Sequence, residues 1–524
     1  MKTLKYTIGC LMAAIVFSSC FDDKGTYTYS PINGITIENI QPEYALLGNV
    51  DTLRINPEIT STQDGKITSD NPNYSFIYRA AQEHPASYDD AKRFVLDSAF
   101  TMNVDILLKI PHKNYICWLT VKDKRTELET TTSFKLKINS PTTEGWMVLC
   151  NEGTSNRVRM DMISRISEER DVRSYDMLSN SNLPALTNAL ELGYDCGING
   201  SDDDIIAIFT PKGAYRLDPK TFASGPEYDM RYSFGDKSGN CSPQHLQYAN
   251  FSHLIVDGNN DAYVGSFFGG FTYEFPVNTP IPMKKPTFKV SPHFAGDATS
   301  NTMLRGNSVL FYDITNGRFV GFEGTECCLP IPNPSQNRYF DYEVGLNKTL
   351  LYMESVRRSG TTAYSLFKDA NGGKYWVYGI KFTDGVFEQE AAPIELNTTN
   401  APGIDRAKIF AFASQEPYMF YAADNCVYEF DLIEKSCHKM LTFKNSEEIT
   451  LLKFNLFRSR FDKPESYKEM EYRLIVGTTD NSIQGNDNSS LSFYNVPRLN
   501  GELTRIGQTY SNFAKIVDVV YREK

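Results

Sequence analysis

"IIAIFTPKGAYRLDP", Ile205 to Pro219, sets five apolar residues before a Thr-Pro-Lys-Gly turn and then a second run in which Tyr215 and Leu217 sit two places apart. Apolar runs of this length, broken by Pro and Gly, read as two short antiparallel strands. The pattern recurs. Comparable first runs begin at Trp146 ("WMVLC"), Leu254 ("LIVDG"), Val309 ("VLFYD"), Leu350 ("LLYME"), Tyr418 ("YMFYA") and Leu474 ("LIVGT"). Comparable second runs are "GFTYEFP" at Gly270 to Pro276, "TAYSLF" at Thr362 to Phe367 and "NCVYEFD" at Asn425 to Asp431. The mean spacing is close to 55 residues, so the repeating unit is all-β and 50 to 60 residues long.

About 380 residues follow Gly145, more than one hydrophobic core supports. Stacked repeats solve that problem. Residues 141–524 are therefore expected to form a β-propeller of about seven blades, six or eight being open because the spacing runs from 41 to 68. "KYWVYGIKF", Lys374 to Phe382, is either a further blade or the outer half of the one that starts at Leu350. "FAKIVDVVYREK", from Phe513, is strand-like throughout and is expected to help close the ring, which protects edge strands. The charged stretch Val158 to Leu178 has the amphipathic look of a helix, although Val158 to Met162 also suits a strand.

Before the repeats, residues 31–140 carry "GITIENI", "TLRINPEI", "YSFIYRA", "NVDILLKI", "YICWLTVKD" and "TSFKLKIN", separated by Pro, Gly, Asn and Asp. Such strands suit an immunoglobulin-like β-sandwich. "ASYDDAKRFVLDSA" within it is a short helix or an ordered loop. No cysteine pair brackets Trp118, so no antibody-type disulfide is expected.

Residues 1–19 read as a secretory signal, with Lys2 and Lys5 ahead of an apolar stretch too short to span a bilayer. Phe17-Ser18-Ser19-Cys20 resembles a bacterial lipobox, which makes Cys20 the lipidated residue. Acyl chains on Cys20 would hold the body at a membrane. Residues 20–30 form an acidic and polar leader, and Asp22-Asp23 resembles the export signal that sends Bacteroidetes lipoproteins to the outer face of the outer membrane. The net charge of −11 becomes −13 once Lys2 and Lys5 are removed, which gives no electrostatic reason to bind nucleic acid.

"CFDDKGTYTY", "INGITI", "TLRINPEI", "LTVKDK" and "GWMVL", in this order, resemble the PKD-like family of Bacteroidetes lipoproteins over Cys20 to Leu149. The resemblance implies location and company more than chemistry: a cell-surface lipoprotein beside a SusC/SusD-like outer-membrane importer, in glycan or peptide uptake. It implies no catalytic residues.

The chemistry legible in the residues is sparse. Cys117, Cys150, Cys196, Cys241, Cys327, Cys328, Cys426 and Cys437 show no C-x-x-C pair, so no zinc cluster or redox motif is written here, and most read as buried thiols. Cys426 and Cys437 flank a hairpin across which they are able to face each other. His245 and His253, eight residues apart, read as hydrogen-bonded groups before metal ligands. "DGNND", Asp257 to Asp261, opens like a calcium loop, but Ala262 and Phe268 stand where Gly and Glu are needed, and a turn accounts for it. Asp202-Asp203-Asp204 reads as a solvated loop, and "FFGGF", Phe267 to Phe271, as an exposed aromatic loop. The signatures of sialidases, nucleophile-elbow hydrolases and P-loops are absent. The expectation is a non-enzymatic binding or accessory protein without a cofactor, with a propeller hydrolase or lyase as the alternative.

Overall fold

In the computed structural model, which describes residues 32–85, 87–196, 204–235, 241–249, 252–266, 272–281, 284–297, 308–324, 327–358, 360–383, 386–457 and 465–523, the chain is all-β and divides into two compact units, Met1–Ile138 and Asn139–Lys524. Cys20, Asp22 and the signal lie outside the described residues.

The first unit holds a five-stranded antiparallel sheet in the order Glu43–Leu47, Glu129–Asn139, Asn114–Asp123, Tyr74–Gln82, Phe94–Val95, with a three-stranded and a two-stranded sheet beside it. Tyr74–Gln82 and Asn114–Asp123 bury alternate residues, as a two-period requires, and Phe76, Tyr78, Leu119 and Val121 join Leu53, Ile59 and Leu136 in one core. "TLRINPEI" splits at Pro57 into Thr52–Ile55 and Glu58–Ser61, in separate sheets, because proline lacks the N–H that a ladder needs. The stretch 87–99 is an ordered loop with the two-residue strand Phe94–Val95, not a helix.

Among the described residues the second unit holds seven antiparallel sheets of three to five strands. Their second strands are Gly145–Glu152, Ile205–Thr210, Ser252–Asp257, Ser308–Asp313, Thr361–Asp369, Tyr418–Ala423 and Arg473–Asp480, whose starts are 47 to 60 residues apart. These strands are buried almost throughout, on both faces. Six apolar clusters explain why: each packs one sheet against the next, from Met147 and Leu149 against Leu192 and Ile206 to Phe420 against Leu474 and Val476. One more step joins the seventh sheet to the first, through Ile475 and Phe493 against Trp146 and Val148. Lys515–Arg522 pairs antiparallel with Gly145–Glu152, so the first sheet is completed by a strand from about 370 residues further along the chain. Gly145 makes that sheet possible at its start: its φ of 137° is open to glycine, and a Cβ there would meet the Ile163 carbonyl oxygen at 2.1 Å.

Several expectations change. Leu350 lies in the first strand of the fifth sheet, Lys348–Val356, and "TAYSLF" is the second; "KYWVYGIKF" is the third strand of that same sheet, not a unit of its own. Val158 to Leu178 is not a helix: Arg157–Arg165 and Asp171–Ser174 pair as strands, with Met160 and Met162 in the core and Asp161 buried by arginines. In "GFTYEFP", Tyr273 and Pro276 make isolated bridges only, and the third strand of that sheet is Ala262–Ser266.

Candidate functional site

Each of the seven sheets has a first strand at one edge: Glu191–Asp195, Pro243–Ala249, Ala295–Gly296, Lys348–Val356, Ile409–Phe412, Glu447–Lys453 and, for the first sheet, Lys515–Arg522. All seven line one cavity of about 570 Å³, within the range of small-molecule pockets. Gly296 keeps its strand close to the neighbouring sheet, since a Cβ would meet the Tyr248 carbonyl oxygen at 2.0 Å.

An edge strand leaves backbone N–H groups without a ladder partner. Here, side chains from the preceding sheet accept several of them. Glu191 Oε1 accepts the Leu246 N–H at 3.2 Å, and Glu191 Oε2 lies 3.3 Å from His245 Nδ1. Glu354 Oε1 accepts the Phe412 N–H, and Glu354 Oε2 accepts the Tyr352 hydroxyl at 2.9 Å. Asn455 Oδ1 accepts the Tyr521 N–H at 3.2 Å. Asp518 Oδ2 accepts the Leu192 N–H at 3.0 Å, while Asp518 Oδ1 takes Lys453 Nζ at 2.6 Å. These four acceptors tie sheet to sheet across the cavity wall.

Burial sets the protonation of two groups in that wall. It pushes the Glu354 carboxyl up to about 7, against the pull of the Phe412 amide, the Tyr352 hydroxyl and the Lys453 charge. It also lowers the His293 imidazole to about 4, with nearby His245 adding to the effect, so His293 is neutral at pH 7. The His293 ring stands 5.4 Å from the Tyr352 ring, edge to face. Tyr352 itself titrates far above its ordinary value, through burial and the carboxylates of Glu354, Asp518 and Glu191. The Tyr352 ring packs against Phe412 and Phe410, with centroids 6.3 and 6.2 Å away. Chemically, the wall offers neutral hydrogen-bonding groups and aromatic surface around carboxylates that already hold backbone amides.

The residues singled out in the sequence lie elsewhere, with one exception. His245 lines the cavity, whereas His253 is buried against Asp195, 2.9 Å from Nε2 to Oδ2, so the two histidines share no site. No group of three or more His, Cys, Asp or Glu side chains among the described residues has the geometry of a metal site. Asp257 accepts the N–H groups of Asn259 and Asp261 with Oδ1, both at 2.9 Å, which is the turn and not a calcium loop. Asp202, Asp203 and Phe267 to Phe271 lie outside the described residues; Asp204 is no solvated loop residue but is buried against Arg522, 2.8 Å from its Nε. Cys426 stands opposite Thr442 and Cys437 opposite Phe430, so the register does not bring the two thiols face to face; seven of the eight described cysteines are buried.

Glu191, His293, Tyr352, Glu354, Lys453 and Asp518 escaped the sequence reading. Their faint signal is a polar residue inside an apolar run, as in "LLYME" and "KIVDVV".

Residues 20–187 match the model of the PKD-like family. No curated protein matches the chain. Among solved structures, the chain is similar to a quinonprotein alcohol dehydrogenase-like protein of Bacteroides thetaiotaomicron, at 11% identity and a TM-score of 0.40, covering 94% of this chain and 100% of that one. It is also similar to the extracellular domain of a protein described as a one-component system from the same organism, at 9% identity and a TM-score of 0.33, covering 90% of this chain and 64% of that one.

Proposed function

We propose that the protein is an outer-membrane lipoprotein, anchored through Cys20 and facing the cell exterior, whose second unit is a seven-bladed β-propeller that binds a small ligand in its central cavity. In this reading it is a non-enzymatic accessory component of nutrient uptake, beside a SusC/SusD-like importer and serving glycan or peptide capture. The lipobox-like Phe17 to Cys20 and the acidic Asp22-Asp23 support the location. Seven sheets packed in succession, the seventh also against the first, support the propeller.

One observation carries the binding role. The cavity is lined from all seven sheets, yet Glu191, Glu354 and Asp518 each spend one oxygen on a backbone N–H of the neighbouring sheet and the other on a side chain. A carboxylate held in this way shapes a wall and is poorly placed to exchange protons with a substrate. The test has two parts. Cys20→Ala should release the protein from the membrane fraction, and capture of the detergent-solubilised lipoprotein should recover an importer subunit. Membrane retention of the variant, or recovery of the protein alone, would count against the anchor or the company respectively.

A second reading, a propeller hydrolase or lyase acting on a glycan or peptide, draws on the Glu354 carboxyl, which titrates at about 7 beside a cavity. Turnover of a glycan or peptide that Glu354→Gln abolishes would replace the binding role with this one.

A further inference from the structure

From the charge balance of the wall we infer that the cavity takes an uncharged, hydroxyl-bearing ligand of mono- to disaccharide size, and rejects the acidic and amino counterparts of the same ligand. This inference rests on the reading of the cavity as a binding site and narrows it to a ligand class.

The charged side chains of the wall are already committed. Lys453 and Asp518 neutralise each other at 2.6 Å. Glu191 is held by the Leu246 amide and His245, and Glu354 by the Phe412 amide and the Tyr352 hydroxyl. Glu523 is buried with partners of its own, and Lys408 is exposed, where solvent and salt screen it. An ionic ligand entering this space would lose its hydration and find no uncommitted counter-charge among the buried groups, only the solvent-screened Lys408 at the surface, which is the costly way to bury a charge.

What remains open to a ligand is neutral. His293 lines the cavity uncharged, with one ring nitrogen to donate and one to accept, and the Gln247 amide brings the same pair of capacities. Beside them lie the rings of Tyr352 and Phe410, an apolar surface that suits the C–H face of a sugar ring. A hydroxyl both donates and accepts, as these groups require, and carries no charge for the wall to balance.

The experiment is isothermal titration of the full mature lipoprotein in detergent with matched sets: glucose, glucuronate and glucosamine; galactose, galacturonate and galactosamine; then cellobiose and maltose; then a zwitterionic dipeptide. A neutral sugar is expected to bind, with its charged counterparts weaker by about tenfold or more, the cost of burying a charge unpaired. Tighter binding of a charged sugar or of the dipeptide would overturn the inference and leave the cavity as a binding site. No binding by any member would overturn both. Against the sugar that binds, His293→Ala and Gln247→Ala should each lose about tenfold in affinity, measured well below the melting temperature of each variant, as a hydrogen bond lost to a buried ligand does. Unchanged affinity in both variants would place the ligand elsewhere; two variants are used so that one failing to fold still leaves a result.

Discussion

Lys453 and Asp518 meet at 2.6 Å, and the second oxygen of Asp518 accepts the Leu192 N–H, so one carboxylate joins the seventh, first and second sheets. Asp518 is buried, and its removal leaves both an amide and an ammonium group without their partner. Asp518→Ala should therefore cost about 2–4 kcal/mol of stability. Denaturant unfolding measures this, and hydrogen exchange should show the Leu192 amide losing protection first. A cost under about 1 kcal/mol, the level of a surface ion pair, would mean that the carboxylate does not join the sheets.

Asp161 makes a stronger case on the same boundary. It is fully buried, takes Arg159 through both oxygens at 2.8 Å, accepts Arg173 at 3.0 Å, and caps the Asp176 N–H at 2.9 Å. Arg173 in turn reaches the carbonyls of Ser511 and Asn512 and lies 3.6 Å from the Phe513 ring centroid, in the seventh sheet. Breaking a buried ion network from one side costs about 3–5 kcal/mol. Asp161→Ala is expected in that range by chemical denaturation, with Arg173→Met milder because its apolar stem keeps packing on Phe513.

Glu429 should make stability fall as pH rises. It is 1% exposed, its Oε2 has no hydrogen-bond partner among the described residues, and burial with nearby Asp431 pushes its carboxyl from 4.5 to about 7. The folded protein then holds a proton that the unfolded chain gives up. The contribution is complete below about pH 4.5 and is lost as pH rises through about 7. Glu429→Gln, neutral throughout, should be more stable than the parent by on the order of 2–3 kcal/mol at pH 8, and the gap should close toward pH 4.5. Parallel denaturation curves at the two pH values decide it; a gap that does not change with pH would remove the titration from the explanation.

His293 works in the opposite direction. Its folded pKa of about 4 lies below the ordinary 6.5, so its contribution to stability is present above 6.5 and is lost as pH falls through about 4. Imidazole resonances in an NMR titration should stay constant from pH 8 to 5.5. A midpoint above 6 would show that the ring is hydrated and charged, and would remove the neutral donor and acceptor from the cavity wall.

The strongest sequence signals belong to second strands, for a physical reason. A strand clasped by neighbouring sheets on both faces needs an unbroken apolar run, and "IIAIF", "VLFYD" and "YMFYA" are such runs. The fifth sheet broke the pattern because its second strand buries Thr361, Thr362 and Ser365, which diluted the signal and moved it to Leu350. First strands are short or only partly buried; Ala295–Gly296 has two residues. The cavity is built from those strands, and the residues that meet there come from all seven sheets. Glu191 and His245 are 54 positions apart, and Lys453 and Asp518 are 65. Spacing in one sequence has no means of pairing them. Histidines are rare in the sequence, but His253 pairs with Asp195 and His245 with Glu191, so nearness along the chain does not bring them to one site.

The pairing of Lys515–Arg522 with Gly145–Glu152 also sets a timetable. During synthesis the first sheet emerges with one edge bare, and it stays bare while the other sheets are made, until Lys515–Arg522 arrives. A bare edge of this kind is a backbone ladder open to pairing with another nascent chain. A ribosome that stalls before Lys515 releases a body with an adhesive seam, lacking Asp518 and its three-sheet knot. Synthesis of Lys515–Arg522 is thus the step that covers this edge, and a copy without it keeps the edge exposed.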